Sequence, residues 1–443
     1  MPWLAKLIAP GFNSEEIHTL VTLSRLMLVQ PIIIGISNML SSVTQMFKKF
    51  LVTALSPVMY NIGIIIGIVV MYPLLGVTGL AIGVVIGAIL HLAIQIPTLV
   101  QIGFLPRFTT AISFSELASI VKTSIPRTIG LSMSSFTALM LTSIASTLDT
   151  GSISIFNLTN NMLNVPIGVV AISYSVASFP MLVKYFYDKE REKFAEYIFH
   201  ATRKIIFWSV PITVLFVILR AQIVRVILGS HSFTWNDTRL AAACLALFMI
   251  GLVAQSLVHL FVRGYYAAGN TKKPLLMNFL GEILTIGLAF VFIAMFNYLP
   301  EFTHFFTSVL RLDGVTNITL LALPLAFSIG NIFNYFTLVA VFKKDFPESN
   351  AFPIIRSTLQ TITASLCMGV VVYGFLNLSA TYVNQDRFWG IFSQGLLSGV
   401  VGIVVFVIVM TLFKNQDMDD FLGTFKKKFW KANVIIDQSA IDN

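Results

Sequence analysis

Charged residues are scarce in this sequence. Only 11% of its 443 residues are Asp, Glu, Lys or Arg, whereas 56% are hydrophobic. A soluble domain carries roughly a quarter charged residues because water must solvate its surface, so this composition excludes a soluble globular chain. Polar linkers are lacking as well, although a soluble chain of this length would need them between about three domains.

Cysteine and the motifs of enzyme sites are also scarce. Cys244 and Cys367 both lie inside apolar runs. Cysteine there behaves as a small buried hydrophobe, so the sequence predicts neither a disulfide nor a metal site. His91 and His259 each stand alone on a predicted helix face, without a second ligand at metal-binding spacing. No Gly-rich phosphate loop, paired carboxylates or Ser/His/Asp combination is present, so we expect no enzymatic activity and no cofactor.

Apolar runs fill the chain instead, and the mean hydropathy is +0.84. Each run is long enough to cross the ~30 Å hydrocarbon core of a bilayer. Only helices satisfy their own backbone groups in lipid, and continuous runs differ from the alternating segments of a membrane β-barrel. The sequence therefore predicts an all-α, polytopic integral membrane protein. Spanning helices are expected at residues 17–46, 51–73, 77–101, 116–147, 152–183, 197–228, 238–265, 274–296, 316–341, 353–378 and 388–413.

Positive charges follow a pattern along the chain. Every second loop is basic, and the intervening loops are short or nearly free of Lys and Arg, except around Arg225 and Arg239. Lys and Arg collect in the cytoplasmic loops of membrane proteins, so the pattern predicts a cytoplasmic C-terminus. It also accounts for the net charge of +9 without a nucleic-acid partner. The basic segments carry Lys48 and Lys49; Arg107; Lys184, Lys189, Arg191 and Lys193; Arg263, Lys272 and Lys273; Lys343 and Lys344; and Lys414 and Lys426 to Lys428.

An internal repeat divides the chain. SPVMYN at 56–61 matches KPLLMN at 273–278, each with a Pro four residues before an Asn. GVTGLAIG at 76–83 is echoed by GVTNITLL at 314–321. Repeated halves are common in transporters. Three more predicted helices precede the second copy and almost nothing precedes the first, so we expect about three helices to be absent from the N-terminal half.

Six stretches of the chain are individually distinctive. They are LIAPGF at 7–12, LSRLMLVQP at 23–31, ALSPVMYNIGIIIG at 54–67, PRTIGLS at 126–132, IASTLDTGSISIFNLTNNMLNVPIGVVAISYSVASFP at 144–180 and VRGYYAAGNTKKP at 262–274. In this order they resemble the lipid II flippase family (MurJ/MviN) of the multidrug/oligosaccharidyl-lipid/polysaccharide exporter superfamily. The resemblance covers residues 7 to about 345, and the last two helices fit the family's extra pair by position only.

The resemblance implies fourteen helices: two six-helix lobes in an inverted V around a central cavity, followed by two more. The chain would then begin at the end of the third helix. We accordingly expect the remainder of the N-terminal lobe at 1–110, the C-terminal lobe at 111–345, two additional spans at 346–415 and a cytoplasmic tail at 416–443. The tail mixes aromatic residues with lysines, so it is expected to rest on membrane lipid.

The implied activity is movement of lipid II, an undecaprenyl-pyrophosphate-linked peptidoglycan precursor, to the outer leaflet of the bacterial cytoplasmic membrane. A monomer would do this by alternating access of its lobes, in cell wall biogenesis. One alternative is an oligosaccharide-lipid flippase or a multidrug/cation antiporter, although these typically end after twelve helices. Another is an inactive relic, because the missing helices carry important arginines in the family, and on that ground we expect this chain alone not to transport.

Two arginines are candidate ligands of the pyrophosphate. Arg127 lies about a third of the way into its predicted helix, just after Pro126. An unpaired charge there costs ~2.5–3.5 kcal/mol or more. It either lines the cavity or extends to the cytoplasmic face, and Arg25, near the outer end of its helix, has the same two interpretations.

Four asparagines form a polar stripe on the helix predicted at 152–183. Asn157, Asn160, Asn161 and Asn164 share one face because they are spaced i, i+3, i+4 and i+7. Amides in a span either join helices or line a wet cavity, and four on one face favour a cavity that binds sugar hydroxyls. Many family members carry an acidic–basic pair at the positions of Asn160 and Asn161, so this chain departs from the family there.

Asn278 and Glu282 lie four residues apart in the helix after Pro274, so their side chains meet on one face. Glu282 is one of few carboxylates within the spans. Some family members place cation ligands at this spacing in the matching helix, which implies coupling to sodium ions or protons. A hydrogen bond to a neighbouring helix is the structural alternative.

Overall fold

The computed structural model describes residues 1–47, 49–104, 114–229, 233–347, 352–383 and 387–430. Within these ranges the chain forms helices and no strands, which confirms the predicted all-α class. The chain divides into two compact units, Met1–Ser124 and Ile125–Asn443.

The first unit is built from short and long helices around α4 and α6. Its N-terminal α2 begins with a capping box, in which the Asn13 side chain accepts from the Glu16 backbone amide and Glu16 bonds back; this satisfies two amide groups that would otherwise lack partners. The elements are α1 (Pro2–Ile8), α2 (Ser14–Met27), α3 (Val29–Met46), α4 (Phe50–Ile66), a π-helical turn (Gly67–Met71), α5 (Tyr72–Leu75), α6 (Val77–Ala93) and α7 (Ile96–Gln101).

Glycines allow α4 and α6 to approach at backbone distance. A Cβ added to Gly83 would lie 2.4 Å from the Cα of Gly67, and one added to Gly63 would lie 2.2 Å from the Cα of Gly87. Small residues spaced four apart are the usual means of close helix packing in a bilayer. The hydropathy pattern predicted both spans without indicating this contact.

The second unit contains the remaining helices, and α8 (Phe114–Ser146) crosses the boundary between the units. The others are α9 (Ser152–Pro166), a π-helical segment (Ile167–Ile172), α10 (Ser173–Tyr187), α11 (Arg191–Ile218), α12 (Arg220–Leu228), α13 (Trp235–Ile250), α14 (Leu252–Ala267), α15 (Lys272–Tyr298), α16 (Pro300–Leu310), a 3₁₀ turn (Ile318–Leu321), α17 (Ala322–Asp345), α18 (Phe352–Ser379), α19 (Phe388–Leu412) and α20 (Gln416–Trp430).

Nine helical segments in the described residues are long and apolar enough to span a membrane. They agree with nine of the eleven predicted spans. The predicted span 116–147 is the single helix α8, whose described apolar stretch is Ser135–Ser146. The predicted span 197–228 is shorter than expected, because α11 ends at Ile218. Arg220 donates to the carbonyl of Val217 there, at 3.2 Å, and satisfies one of the last carbonyls of the helix.

The predicted span 238–265 is two helices rather than one. α13 and α14 meet at Gly251 with a bend of 43°. The hydroxyl of Ser328 on α17 donates to the carbonyl of Leu247 at 2.6 Å, and a Cβ on Gly251 would lie 2.9 Å from the Cα of Ser328. A side chain that inserts into the helical ladder beside a glycine is a common cause of such a bend.

Aromatic packing holds together the end of the second unit that carries its basic segments. Phe194, Tyr265, Phe342 and Phe346 belong to one buried cluster with Leu182. Successive rings in it contact each other, as Phe342 and Phe346 do at 4.6 Å between centroids. Five helix ends that carry basic residues therefore lie together: the end of α10 and start of α11, the end of α14 and start of α15, and the end of α17.

Candidate polar cavity of the second unit

A cavity of about 400 Å³ opens among α14, α15 and α17. We call it the polar cavity. Its polar lining consists of Gln255, His259, Arg263 and Tyr266 on α14, Asn278 and Glu282 on α15, and Asn331 and Asn334 on α17. A water molecule takes about 30 Å³ in the liquid, so the cavity has room for an ion with several waters.

Helical spacing explains how three helices supply this lining. The α14 residues recur at intervals of four, four and three, Asn278 and Glu282 are four apart, and Asn331 and Asn334 are three apart. Side chains three or four residues apart lie on one face of a helix. Each helix therefore turns a polar face toward the same space.

Close packing of α15 on α17 brings the two amide-bearing faces together. A Cβ on Gly281 would lie 2.8 Å from the Cβ of Asn334, and one on Gly330 would meet the side chain of Thr285. The Asn334 amide consequently donates to Asn278 Oδ1 at 3.1 Å. This amide pair aligns Asn278 beside Glu282, one turn further along.

The polar cavity is rich in oxygen atoms that lack a donor. Gln255 Oε1 and Asn334 Oδ1 are buried and accept no hydrogen bond in the described part of the chain. The hydroxyl of Thr137 lies near the Glu282 carboxyl but makes no hydrogen bond of normal geometry. An unsatisfied buried polar atom costs about 1–3 kcal/mol. Waters or a cation bound at these oxygens would remove that cost.

Charge in the polar cavity is of both signs. Glu282 can carry a negative charge and Arg263 carries a positive one, and the imidazole of His259 lines the same cavity. Among the described residues none of the three forms an ion pair; the ion pairs there involve Lys193, Arg203, Lys204 and Lys273. Because Glu282 and Arg263 line the same cavity, the Glu282 carboxyl can bind a proton or a cation there without any movement of α15.

The structure places the other predicted site residues elsewhere. The four asparagines lie on α9, with Asn157 and Asn160 half-buried and Asn161 and Asn164 exposed. The opposite face of α9 is buried through Ile155, Phe156, Thr159, Met162, Leu163 and Pro166. Asn157 accepts from Thr142 on α8 at 3.5 Å. The stripe is thus the exposed side of an amphipathic helix.

Of the two candidate arginines, only Arg25 has a side chain within the described residues. Arg25 is exposed in the last turn of α2, in the first unit. Arg127 lies within α8, and its side chain is outside the described residues.

Sequence reasoning missed most of the polar cavity. It treated His259 as isolated and placed Arg263 in a loop, whereas α14 continues to Ala267 and both residues line the cavity. The spacing of Gln255, His259 and Arg263 was a readable signal, since polar residues at i, i+4 and i+8 form a stripe. Asn334 had no such signal, because its role depends on a partner 56 residues away.

Comparisons with known proteins agree with this architecture. The family model described as lipid II flippase MurJ matches residues 1–393. The solved structure of "Lipid II flippase MurJ, inward closed conformation" superposes with a TM-score of 0.72 at 22% identity, covering 92% of this chain and 77% of that one. This likeness shows a shared fold.

Curated relatives are similar at the sequence level. The probable lipid II flippase MurJ of Vibrio cholerae is 25% identical over 81% of this chain and 64% of its own length. That of Haemophilus influenzae is 29% identical over 54% of this chain and 48% of its own length. That of Borreliella burgdorferi is 26% identical over 58% and 51%. The chain spans about half to two thirds of the relatives it matches. Because the family model covers most of its residues, this multi-pass membrane protein belongs to the lipid II flippase MurJ family.

Proposed function

We propose that this protein transports lipid II from the inner to the outer leaflet of the bacterial cytoplasmic membrane. The family match over residues 1–393 carries this proposal. The helical architecture fits it, because nine helical segments of the described residues are long and apolar enough to span a membrane. No chemical conversion of the substrate is required.

We place the C-terminus and the basic segments on the cytoplasmic side. Support comes from the aromatic cluster that gathers Leu182, Phe194, Tyr265 and Phe346 at one end of the second unit. Each lies within about a dozen residues of the lysines that alternate along the sequence. Positive charge concentrated at one end of a bundle is the usual mark of the cytoplasmic face.

The exposed face of α9 is our candidate for saccharide contact. Asn161 and Asn164 are exposed, and their amides offer both donors and acceptors to sugar hydroxyls. Asn157 and Asn160 extend the same face toward the buried side of α9. Arg127 and Arg25 remain the candidate ligands of the pyrophosphate, since a guanidinium group can donate two parallel hydrogen bonds to phosphate oxygens.

We assign cation coupling to Asn278 and Glu282 in the polar cavity, with no other cofactor. The donor-free oxygens of Gln255 and Asn334 support this assignment, because oxygen atoms are the ligands that sodium and other hard cations take. A proton on Glu282 would serve the same role.

Binding of lipid II by the purified chain tests the proposal. Native mass spectrometry should show lipid II bound more tightly than undecaprenyl phosphate or phosphatidylglycerol. The double variant Asn161→Leu with Asn164→Leu should weaken lipid II binding about tenfold, since each lost hydrogen bond is worth about 0.5–1.5 kcal/mol.

The matched control is Asn377→Leu, the same change at an exposed amide of α18, and it should leave the affinity unchanged. Equal affinity for lipid II and phosphatidylglycerol would contradict the proposed substrate. A preference for another undecaprenyl-linked saccharide would move the chain to the oligosaccharide-lipid transporters.

A further inference from the structure

A groove of about 1160 Å³ lies where α18 begins, α19 ends and α20 starts. We call it the α18–α20 groove. Its cationic lining is Arg203, Arg356 and Lys414, and its apolar lining is Ile355, Leu359 and Phe413. None of the residues of the polar cavity borders it, so it is a separate feature.

Two cations of the α18–α20 groove have no acidic partner among the described residues. No carboxylate is among the described residues that line the groove. Arg203 is engaged, with Nε 3.0 Å from a carboxylate oxygen of the buried Asp417. Arg356 and Lys414 are exposed and form no ion pair within the described ranges. The groove therefore attracts an anion.

Lys414 is held in an unusual backbone conformation. Its φ is +49°, in the left-handed region that follows many helices and is normally occupied by Gly or Asn. The next residue, Asn415, is buried and donates to Gln360 Oε1 at 2.7 Å and to Ser357 Oγ at 3.3 Å. These bonds fix the turn. The Lys414 side chain therefore lines the groove even though its backbone conformation is unfavourable for lysine.

An apolar track leads away from the two cations along α18. Ile355 and Leu359 are 57% and 59% exposed, and Ile362 and Leu366 continue the same face at 39% and 60%. The spacing of four, three and four residues keeps them on one side of the helix. Because α18 is a candidate membrane span, this track faces the acyl-chain region while Arg356 and Lys414 lie at its headgroup end.

We propose that the α18–α20 groove binds an anionic glycerophospholipid, with its phosphate between Arg356 and Lys414 and an acyl chain along Ile355, Leu359, Ile362 and Leu366. Guanidinium and ammonium groups bind phosphate through charge-assisted hydrogen bonds. Membrane-surface lysines and arginines attract anionic lipid, and an apolar track next to them selects a lipid over a free phosphate. This site is independent of the proposed transport of lipid II.

The test uses the purified chain in phosphatidylcholine nanodiscs containing a few percent fluorescent phosphatidylglycerol. Energy transfer from the fluorescent lipid to an acceptor dye on the introduced cysteine of Thr411→Cys, in a chain freed of Cys244 and Cys367, reports lipid at the groove. Thr411 is exposed near the end of α19 and does not line the groove. We expect phosphatidylglycerol to be enriched over fluorescent phosphatidylcholine. Arg356→Gln and Lys414→Asn should each reduce the enrichment about fivefold, and the double variant about twentyfold.

Two controls separate binding from folding. Lys414→Asn removes the cation but suits the left-handed turn, so its melting temperature in lipid-free detergent should equal or exceed that of the parent chain. Lys184→Gln, an exposed lysine on α10, should leave the enrichment unchanged. Equal signals for the two lipids, or equal losses in Lys184→Gln and Lys414→Asn, would overturn the proposal. Displacement of phosphatidylglycerol by millimolar inorganic phosphate would overturn the lipid assignment as well.

Discussion

Individual arginines explain the one exception in the charge pattern of this chain. Arg239 donates from Nη1 to the carbonyl of Asp313 at 3.0 Å and also to the carbonyl of Arg311. Arg225 lies 5.0 Å from the ring centroid of Trp235, a cation–π contact. Both arginines are thus bound locally at the end opposite the aromatic cluster. Their positions reflect packing, so they do not weaken the predicted topology.

We expect cation binding at Glu282 to raise the thermal stability of the chain. Sodium at one hundred times its dissociation constant should stabilise the folded chain by about 2.7 kcal/mol, because only the folded state assembles the ligands. Glu282→Gln removes the charge but keeps the shape, and it should abolish this stabilisation. Thermal unfolding in detergent with sodium or with choline as the cation measures the difference.

The matched control for this substitution is Glu301→Gln, an exposed carboxylate in the first turn of α16. It should respond to sodium as the parent chain does. A Glu282→Gln chain that keeps the full sodium response would show that the carboxyl is a structural contact. If the melting temperature depended on pH and not on sodium, the coupling ion would be a proton.

Among the helices, the pairing of α4 with α6 depends on the absence of side chains. Gly83→Ala would place a methyl group 2.4 Å from the Cα of Gly67, so the two helices must separate. We expect a loss of about 1–3 kcal/mol in the free energy of unfolding. Thermal melting of the purified chain measures this loss.

Gly35→Ala is the control, because a Cβ on that α3 residue meets nothing within 4 Å. Alanine is favoured over glycine within a helix by about 0.5–1 kcal/mol, so this variant should be slightly stabilised. Equal effects of the two substitutions would contradict backbone-distance packing of α4 on α6.

The C-terminal helix α20 is anchored through one buried carboxylate. Asp417 is paired with Arg203 and with Lys204, each at 3.0 Å, and Ser357 donates to it at 2.9 Å. Asp417→Ala leaves Arg203 without a carboxylate partner, while Lys204 keeps Asp420 at 2.8 Å. Breaking a buried ion pair typically costs about 3 kcal/mol or more. We expect α20 to detach, and limited proteolysis should then cut within residues 416–430 much faster.

The corresponding control is Asp419→Ala, since Asp419 is exposed and forms no ion pair in the described chain. Its cleavage rate should match that of the parent chain. If Asp417→Ala were cut no faster, the packing of Phe421 on Trp208 and the ion pair of Lys204 with Asp420 would be enough to hold the helix.

For the whole molecule, we expect one end of the second unit to face the cytoplasm. Single cysteines at Lys184 and Lys343, in a chain freed of Cys244 and Cys367, should resist a membrane-impermeant thiol reagent in intact cells. A cysteine at Asp149, at the other end, should react readily. All three positions are exposed, so accessibility across the membrane decides the outcome.

Permeabilised cells provide the control, since every position should then react. Labelling at Lys184 or Lys343 at the rate of Asp149 before permeabilisation would contradict this topology. Lys48, in the same predicted series, lies outside the described residues.

Hydropathy alone predicts the class of the molecule and most of its spans. A spanning helix needs about twenty consecutive apolar residues, whatever it packs against, because lipid surrounds it. The hydropathy of those residues can be summed from the sequence alone. The same local spacing placed Asn278 beside Glu282 and the four asparagines on one face of α9. Each of these inferences needs only the geometry of a single helix.

The partners of those residues follow from the way the helices pack. The bend at Gly251 arises from Ser328, and the pairing of Asn278 with Asn334 arises from close packing at Gly281 and Gly330. Asp417 became the anchor of α20 by meeting Arg203, more than 200 residues earlier in the chain. Such partners are brought together by the packing of helices, and packing depends on the shape of both surfaces, which no pattern along one helix contains.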